Sequence, residues 1–362
     1  MIIKGKYNAA KLFTDNLEDG ARRQIIELLD QEFVKGSKIR IMPDVHMGAG
    51  SVIGTTMTIT DKVVPNLVGV DIGCGLIVVE LKDKEIDFEK LDKTIRKLIP
   101  SGFSIRDKRH VNARSVDLEN LRCVKHVDLD RGYRSIGTLG GGNHFIEVNE
   151  DEDGKFYLVI HSGSRNIGLQ TAKYYQSLAQ KEVTDVPKDL AYLTGKNMRN
   201  YLHDMKIIQE YAYLNRRTMA DIIVEVMGFS VVNTFQTIHN YIDLENMILR
   251  KGAVSAQKNE KFIIPFNMRD GSMILMGKGN SDWNFSAPHG AGRVISRRGA
   301  KRKFSLKKFQ DEMKDVFSTS VSHHTLDEAP MAYKSPNEIL KHIEETATPL
   351  KTLKVIYNFK AN

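Results

Sequence analysis

The segment KIRIMPDVHMGAGSVIGTTMTITDKVVPNLVGVDIGCGLIVVEL spans residues 38–81 and carries the clearest secondary-structure signal in the chain. Its β-branched runs, VIGTTMTIT and LIVVEL, are typical of buried strands. The intervening PDVHMGAGS and GVDIGCG combine glycines with polar and charged side chains, which is the composition of tight loops. Because loops between strands often carry chemistry, we expect functional residues in both of them.

Helices and further strands follow this segment. The pattern FEKLDKTIRKLI predicts an amphipathic helix from Asp87 to Leu98, and a largely helical region runs from about 170 to 228. Histidines of interest lie on both sides of that region, which predicts a helical insertion into one fold. Later strands are predicted near 229–232, 261–265 and 273–276 and at the final VIYNF. The prediction is an α+β protein: a single complex domain over 1–362, with mixed or antiparallel β-sheets flanked by helices.

Basic residues outnumber acidic ones. Lys and Arg total 53 against 45 Asp and Glu, and the resulting net charge of +8 is compatible with a polyanionic partner such as nucleic acid. Residues 106–131 are highly charged and weakly periodic, which predicts a surface loop or cover that could also contact an anionic ligand.

The cysteines and the N-terminal sequence indicate where in the cell the protein is located. Cys74 and Cys123 lie in very different contexts, which argues against a disulfide framework and predicts a cytoplasmic location. We expect no secretion signal at the N-terminus, since no apolar stretch there is followed by a small-residue cleavage site. The longest apolar stretch, 63–81, contains a proline, an aspartate and three glycines, so we expect no membrane span there.

Five side chains are candidate metal ligands, and all except His239 stand near glycines or at a predicted strand end. Asp71 and Cys74 belong to VGVDIGCG, His144 to GTLGGGNHFIEV, His161 to HSGSRNIG and His239 to QTIHNY. Glycines allow turns sharp enough to aim a carboxylate and a thiolate at one point. Taken singly, most of these residues are explained at least as well by structural roles. Together they would suffice for two metal ions if the thiolate bridges them.

The stretch SAPHGAGRVISRR contains the most distinctive histidine. His289 is followed by the small residues GAG, so its imidazole is accessible, and Arg293 is close enough in sequence to meet phosphate oxygens. In PDVHMGAGS, Asp44 could hold the far nitrogen of a nucleophilic imidazole and fix its tautomer. A loop histidine near a helix N-terminus is the alternative interpretation.

Two common nucleotide-binding signatures are missing from the sequence. There is no G-x-x-x-x-G-K-[ST] loop, and in place of K-x-D-G the chain has Met268 where the lysine would stand. Attack on a nucleotide would therefore fall to histidine. The basic run that includes Arg297 and Arg298 could contact a nucleic-acid backbone, although an exposed charged helix explains it equally well.

Together these motifs resemble the RtcB family of RNA ligases. The resemblance rests on nine ordered motifs: MPDVHMGAGSVIGT, VGVDIGCG, GTLGGGNHFIEV, HSGSRNIG, IHNY, RKGAVSA, GKGN, HGAGRVISR and DEAPMAYK. It implies a compact α+β fold with two Mn²⁺ ions. One ion would be held by Asp71, Cys74 and His144, and the other by Cys74, His161 and His239. The ligand types alone would have suggested zinc, so manganese rests on the resemblance.

The resemblance also implies the chemistry. GTP would guanylylate His289, oriented by Asp44, and GMP would then pass to an RNA 3′-phosphate before a 5′-hydroxyl displaces it. A 2′,3′-cyclic phosphate would first be opened by hydrolysis. GTP would be positioned by Asn143, Phe145, Glu147, Asn240, Ala291, Gly292 and Lys360. RNA contacts are expected from Arg293, Arg297 and Arg298, and the chain is expected to be a monomer.

The sequence departs from the family pattern in places. PFNMRDGS at 265–272 stands where many members have P-G-S-M-G, Gln257 stands where an arginine often follows KGAVSA, and the segment between Pro100 and Ser135 is short. The first departure leaves nucleotide preference open. A metal-dependent RNA end-processing phosphodiesterase or cyclic-phosphate hydrolase without ligation is therefore the alternative, followed by a non-enzymatic RNA-binding protein.

Overall fold

The computed structural model describes residues 1–361, which form eight α-helices and seventeen β-strands. The helices are α1 (Asp19–Leu29), α2 (Phe88–Leu98), α3 (Leu129–Arg134), α4 (Arg165–Glu182), α5 (Gly195–Met227), α6 (Arg297–Lys303), α7 (Leu306–Glu312) and α8 (Pro336–Leu340). The strands are β1 (Ile2–Lys4), β2 (Ala9–Leu12), β3 (Ile39–His46), β4 (Ile53–Thr58), β5 (Lys62–Val63), β6 (Gly75–Leu81), β7 (Phe145–Glu150), β8 (Phe156–Ser162), β9 (Leu193–Thr194), β10 (Val231–Ile238), β11 (Asn240–Asp243), β12 (Ile248–Lys251), β13 (Ala253–Ser255), β14 (Lys261–Asn267), β15 (Gly271–Gly277), β16 (Ser286–Pro288) and β17 (Ala347–Phe359). The predicted α+β class is confirmed.

Two large sheets organise the strands. One is seven-stranded and antiparallel throughout, in the order β10-β6-β8-β7-β17-β15-β14. The other has six strands, in the order β1-β2-β3-β4-β12-β11, and only β2 and β3 run parallel. The VIGTTMTIT and LIVVEL runs thus fall in different sheets, and the loop between them carries Asp71 and Cys74.

The helical region consists of α4 and α5. It starts at Arg165, slightly before the predicted 170, and residues 183–194 between the two helices contain only a short 3-10 turn and β9, which pairs with β5. Met219, Ala220 and Ile223 of α5 pack in one apolar cluster with buried side chains of β6, β7 and β8. The helix that is inserted in sequence therefore covers the sheet from which the functional loops emerge.

The segment 106–131 differs from its prediction. It forms short 3-10 turns at 111–115, 118–120 and 124–126, and it buries Leu118, Leu121 and Cys123 in the largest apolar cluster. The prediction of a solvated loop is wrong for these positions, because isolated apolar residues in successive tight turns leave no periodic pattern. Within residues 1–361, no helix is both long and apolar enough to cross a bilayer.

The seven-stranded sheet collects functional residues at one edge. Cys74 immediately precedes β6 and His144 immediately precedes β7, whereas His161 lies near the end of β8 and His239 follows β10. Because β6 runs antiparallel to β8 and β10, and β7 antiparallel to β8, the starts of β6 and β7 meet the ends of β8 and β10. Four of the predicted ligands are thereby placed side by side.

Candidate active site

Five side chains of metal-binding type lie together at this sheet edge. The Cys74 Sγ is 3.5 Å from His144 Nε2 and 3.3 Å from His161 Nε2. Asp71 Oδ2 is 3.0 Å from His144 Nε2, and His239 Nε2 is 3.0 Å from His161 Nε2. The five residues predicted as metal ligands thus form one continuous cluster, in which all but Asp71 are buried.

Backbone carbonyls orient two of the histidines. The Nδ1–H of His144 donates to the carbonyl of Leu139 at 2.9 Å, and that of His161 donates to the carbonyl of Asn143 at 3.2 Å. Each ring therefore keeps its Nε2 lone pair directed into the cluster, as a metal-binding imidazole does. Burial lowers the pKa of both histidines and of His239, so all three rings are neutral at pH 7.

The donor set fits divalent cations. The donor atoms of Cys74, His144 and His161 all lie within 4.8 Å of one another. Burial opposes ionisation of Asp71, but nearby groups, among them the positively charged Arg165, keep the pKa of its carboxyl below the usual value. Burial, reinforced by the Asp71 charge, raises the pKa of the Cys74 thiol well above its usual value. A bound cation would supply the positive charge that ionises the thiol.

A buried arginine braces the backbone around the cluster. Arg216 of α5 is fully buried, and its Nη1 donates to the carbonyls of Gly73 at 2.6 Å and Ser162 at 2.8 Å. Gly73 precedes Cys74 and Ser162 follows His161, so one guanidinium connects two ligand-bearing segments. Burial lowers the pKa of Arg216 to about 10, which leaves the group charged at pH 7.

His289 lies beside the cluster. Its ring centroid is 4.8 Å from that of His239. Its Nδ1–H donates to Oδ2 of the fully buried Asp44 at 2.6 Å, and its backbone N–H donates to the same oxygen at 3.1 Å. The close approach of the two segments requires Gly292, because a Cβ there would lie 2.5 Å from the Asp44 carbonyl oxygen and the residue has a φ of +72°. The free nitrogen of His289 is Nε2.

A cavity of about 660 Å³ opens over His289 and the cluster, which is within the usual size of small-ligand sites. Asp71, His161, His239 and His289 all line it. So do all seven residues predicted to position a nucleotide, namely Asn143, Phe145, Glu147, Asn240, Ala291, Gly292 and Lys360. The structure thus brings the predicted nucleotide residues and the predicted nucleophile to one cavity.

Two carboxyl groups in the cavity, those of Glu147 and Glu328, have shifted pKa values. Glu147 is buried and accepts a hydrogen bond from Asn358 Nδ2 at 2.7 Å, and burial raises its pKa to about 7. Lys360 is also buried, and its Nζ lies 2.9 Å from Glu328 Oε2. Burial opposes ionisation of Glu328, but the positive charges of Lys360 and Arg297 lower the pKa of this carboxyl.

The three predicted RNA-binding arginines lie in different environments. Arg293 Nη1 is 3.3 Å from Glu328 Oε1, and Arg297 Nη1 is 2.9 Å from the same oxygen and 2.9 Å from Asp327 Oδ2. Both line the cavity. Arg298 is exposed and lies outside the cavity lining. Arg293 and Arg297 therefore already pair with buried carboxylates, although Arg297, like Arg298, is exposed to solvent.

Three further polar residues at the site were not predicted. Arg165 Nη1 is 3.0 Å from His144 Nδ1. Lys251 lines the cavity and donates to a backbone carbonyl at 2.9 Å, and burial lowers its pKa to about 8. Glu328 accepts from Lys360. All three belong to motifs quoted above, HSGSRNIG, RKGAVSA and DEAPMAYK, and that membership is the signal that could have identified them.

Comparison with known proteins gives a consistent result. A family model described as "tRNA-splicing ligase RtcB" matches residues 24–127 and 113–361. The RNA-splicing ligase RtcB of Escherichia coli (strain K12) is 32% identical to the chain, and the alignment covers 94% of each. The tRNA-splicing ligase RtcB of Archaeoglobus fulgidus is 28% identical, with 83% of this chain and 82% of the relative covered. That of Nanoarchaeum equitans is 26% identical, with 84% of each covered.

Proposed function

The chain belongs to the RtcB family, and on that premise we propose that it is an RNA ligase that joins RNA 3′-phosphate or 2′,3′-cyclic phosphate ends to 5′-hydroxyl ends through a guanylylated His289. The observation that carries the proposal is the contact of His289 Nδ1 with Asp44 at 2.6 Å, beside a cluster of five metal-binding side chains. The names of the relatives supply the reaction class, RNA ligation.

The first step is nucleotidyl transfer to the histidine. Asp44 accepts a hydrogen bond from Nδ1–H of His289, so the lone pair of the ring resides on Nε2, which faces the cavity. Nε2 attacks the α-phosphorus of GTP, the N–P bond forms, and the bond to the β-phosphate oxygen breaks with departure of pyrophosphate. The buried carboxylate of Asp44 stabilises the positive charge that develops on the ring.

Two further displacements complete ligation. An oxygen of the RNA 3′-phosphate attacks the phosphorus on His289, which breaks the N–P bond and leaves the RNA end activated by GMP. The 5′-hydroxyl of the second RNA end then attacks the 3′-phosphate, the new phosphodiester bond forms, and GMP departs. A cyclic phosphate end enters this sequence after hydrolysis to a 3′-phosphate.

The cavity offers complementary groups for guanosine. Guanine presents N1–H and an exocyclic amine, and a carboxylate can accept from both. Glu147 is the buried carboxyl in the cavity that could do so, and guanine binding would favour its ionised form. Asn143, Asn240 and Lys360 supply further polar contacts, and Phe145 supplies a ring face.

We further propose which side chains would hold each metal ion. Asp71, Cys74 and His144 would hold one Mn²⁺ ion, and Cys74, His161 and His239 the other. Bound cations at this position supply charge neutralisation for the triphosphate and the RNA phosphate. The two cysteines are both free thiols, which agrees with the reducing cytoplasm that we infer as the location. We also infer that the chain acts as a monomer.

A joining assay tests the function. One RNA oligonucleotide with a 3′-phosphate and a second with a 5′-hydroxyl are incubated with the protein, Mn²⁺ and GTP, and products are resolved on a denaturing gel. Joined RNA should form only with GTP present and should be lost in His289→Ala. The exposed His323→Ala is the matched control and should retain ligation. Absence of joined product from the wild-type protein would reject the proposal.

One observation favours a second candidate. Pro265, Phe266, Asn267 and Met268, in the segment that departs from the family pattern, line the cavity, so part of its wall is formed by unusual residues. If GTP no longer fits, the cluster would still support a phosphodiesterase or cyclic-phosphate hydrolase. That activity would convert a 2′,3′-cyclic phosphate end to a monophosphate with no joined RNA, with or without GTP.

A further inference from the structure

A second cavity lies next to the active site. Its volume is about 650 Å³, and its lining shares Val70, Asp71 and Glu328 with the cavity over His289. Asp71, a proposed metal ligand, is thus reached from two sides. The proposed reaction brings a nucleotide and two RNA ends to one centre, and the first cavity already accounts for the nucleotide.

An aromatic side chain stands at the second cavity with nothing packed on it. Phe103 lines this cavity and is 97% exposed, more than any other large hydrophobic side chain among residues 1–361. Full exposure of a phenylalanine ring is unfavourable in water, since the ring gains most from burial. A ring in this position is suited to a flat partner that arrives from solution.

The backbone beneath Phe103 is held firmly. Gly102, with a φ of +64°, donates its N–H to the carbonyl of Gly140 at 2.9 Å, and Ser104 N–H donates to Ser101 at 3.1 Å. Arg131 Nη2 donates to the carbonyl of Phe103 itself at 3.2 Å. The ring is therefore presented by an ordered turn, which reduces the entropy cost of stacking on it.

The charges around the ring favour a polyanion. Arg131, Arg165 and Lys301 line the same cavity. Of its three carboxylates, Asp327 lies 3.3 Å from Lys301, Glu328 lies 2.9 Å from Lys360, and Asp71 is a proposed metal ligand. Arg131 and Arg165 remain to face phosphate oxygens. Phe103 is flanked in sequence by the small residues Gly102 and Ser104.

We propose that the second cavity is an RNA subsite in which Phe103 stacks on a nucleobase close to the reacting end while Arg131 and Arg165 contact the backbone phosphate. The identity of the ligand as RNA rests on the proposed function. Aromatic stacking tolerates any base, so the subsite would position an RNA end near Asp71 with little sequence preference.

RNA binding by the full chain tests the subsite directly. Fluorescence anisotropy is measured with a labelled RNA oligonucleotide bearing a 3′-phosphate, and then with a labelled 5′-hydroxyl oligonucleotide, without GTP. Phe103→Ala should weaken binding of one of them by about 5- to 150-fold, the span expected for loss of one stacked base. Phe103→Trp should keep near-normal affinity. Val111→Ala, another exposed apolar side chain in the same segment, is the matched control and should bind as the wild type does.

An abasic series separates stacking from a general effect on the protein. Replacing one nucleotide at a time by an abasic residue should weaken wild-type binding at one position and should leave the affinity of Phe103→Ala unchanged there. Equal sensitivity of both proteins at every position would overturn the proposal. A Phe103→Ala protein that binds RNA normally but changes its oligomeric state would overturn it too, in favour of a protein interface.

Rejection of the RNA subsite can be told apart from rejection of the proposed ligase function. If no guanylyl adduct forms but the abasic pattern depends on Phe103, the subsite stands and the ligase mechanism fails. If the adduct forms on His289 while RNA affinity is indifferent to Phe103, the mechanism stands and the subsite is rejected.

Discussion

Oδ2 of Asp44 accepts two hydrogen bonds from one residue, His289: one from the ring Nδ1 at 2.6 Å and one from the backbone N–H at 3.1 Å. The other oxygen, Oδ1, is buried and has no hydrogen-bond partner among the described residues. Among residues 1–361, the Asp44 carboxylate therefore hydrogen-bonds with this histidine alone. A single buried charge fixes both the position of the ring and its tautomer.

Asp44→Asn tests that coupling. The amide would preserve the volume, but its NH₂ would donate to Nδ1 and move the ring proton to Nε2, the proposed nucleophile. We expect the rate of GMP adduct formation to fall by about 100- to 10,000-fold, with little change in GTP affinity. Single-turnover kinetics with labelled GTP measure both quantities. Asp61→Asn, at an exposed carboxylate, should be neutral, and a normal rate in Asp44→Asn would argue against the tautomer role.

The two cysteines provide a matched pair for the metal centre. Both are buried, but Cys74 Sγ lies 3.3 Å from His161 Nε2, whereas Cys123 packs in the apolar core beside Thr171. Cys74→Ser should reduce bound Mn²⁺ to below two ions per chain and weaken the affinity at least about tenfold. Cys123→Ser should retain the metal content. Metal analysis after dialysis and calorimetric titration make the comparison, and equal metal binding by the two variants would contradict the ligand assignment.

Arg216 and Arg217 are neighbours in α5 with opposite environments. Arg216 is fully buried and donates to the carbonyls of Gly73 and Ser162, whereas Arg217 forms an exposed pair with Asp221. Arg216→Met should weaken Mn²⁺ affinity by about 10- to 100-fold, because the ligand-bearing loops lose their shared brace. Adduct formation should recover at high Mn²⁺. Arg217→Met should change neither. A loss of thermal stability with unchanged metal affinity would show a structural role alone.

The raised pKa of Glu147 should make the free energy of unfolding fall as the pH rises. Burial raises its pKa to about 7 in the folded chain, above the usual value of 4.5. The folded state therefore binds this proton more tightly than the unfolded state, and the stability that it contributes is present below pH 4.5 and lost as the pH rises towards 7. Relative to Glu147→Gln, the free energy of unfolding of the wild type should fall by about 3 kcal/mol across that window. Urea denaturation at several pH values measures the difference, and a constant difference would refute the perturbed pKa.

Much of the fold and site was accessible from sequence because the signals were local. Strands such as β4 and β6 coincide with β-branched runs, and α5 ends at Met227 with Gly228 as its C-cap, next to the predicted end at 228. Four of the five predicted ligands, all except His239, stood near glycines or at a predicted strand end. Their convergence is a geometric observation of the structure, and the catalytic and binding roles of these residues stay predictions.

Other features depend on contacts between distant segments, which no local pattern records. Arg216 sits beside Arg217 in a helix and looks like a surface residue, yet it is buried against a loop 143 residues away. Lys360 likewise donates to Glu328, a residue 32 positions away in sequence. The buried side chains of the segment 106–131 follow from turn geometry, and the exposure of Phe103 follows from the turn at Gly102, so neither could be derived from periodicity.

Mass spectrometry of the protein after incubation with GTP and Mn²⁺ tests the central claim most directly. The intact mass should increase by one guanylyl group, and peptide mapping should place that group on His289 through an acid-labile bond. His289→Ala should show no increase, and the exposed His323→Ala should be modified like the wild type. An unmodified wild-type protein, or a guanylyl group on any other residue, would contradict the account.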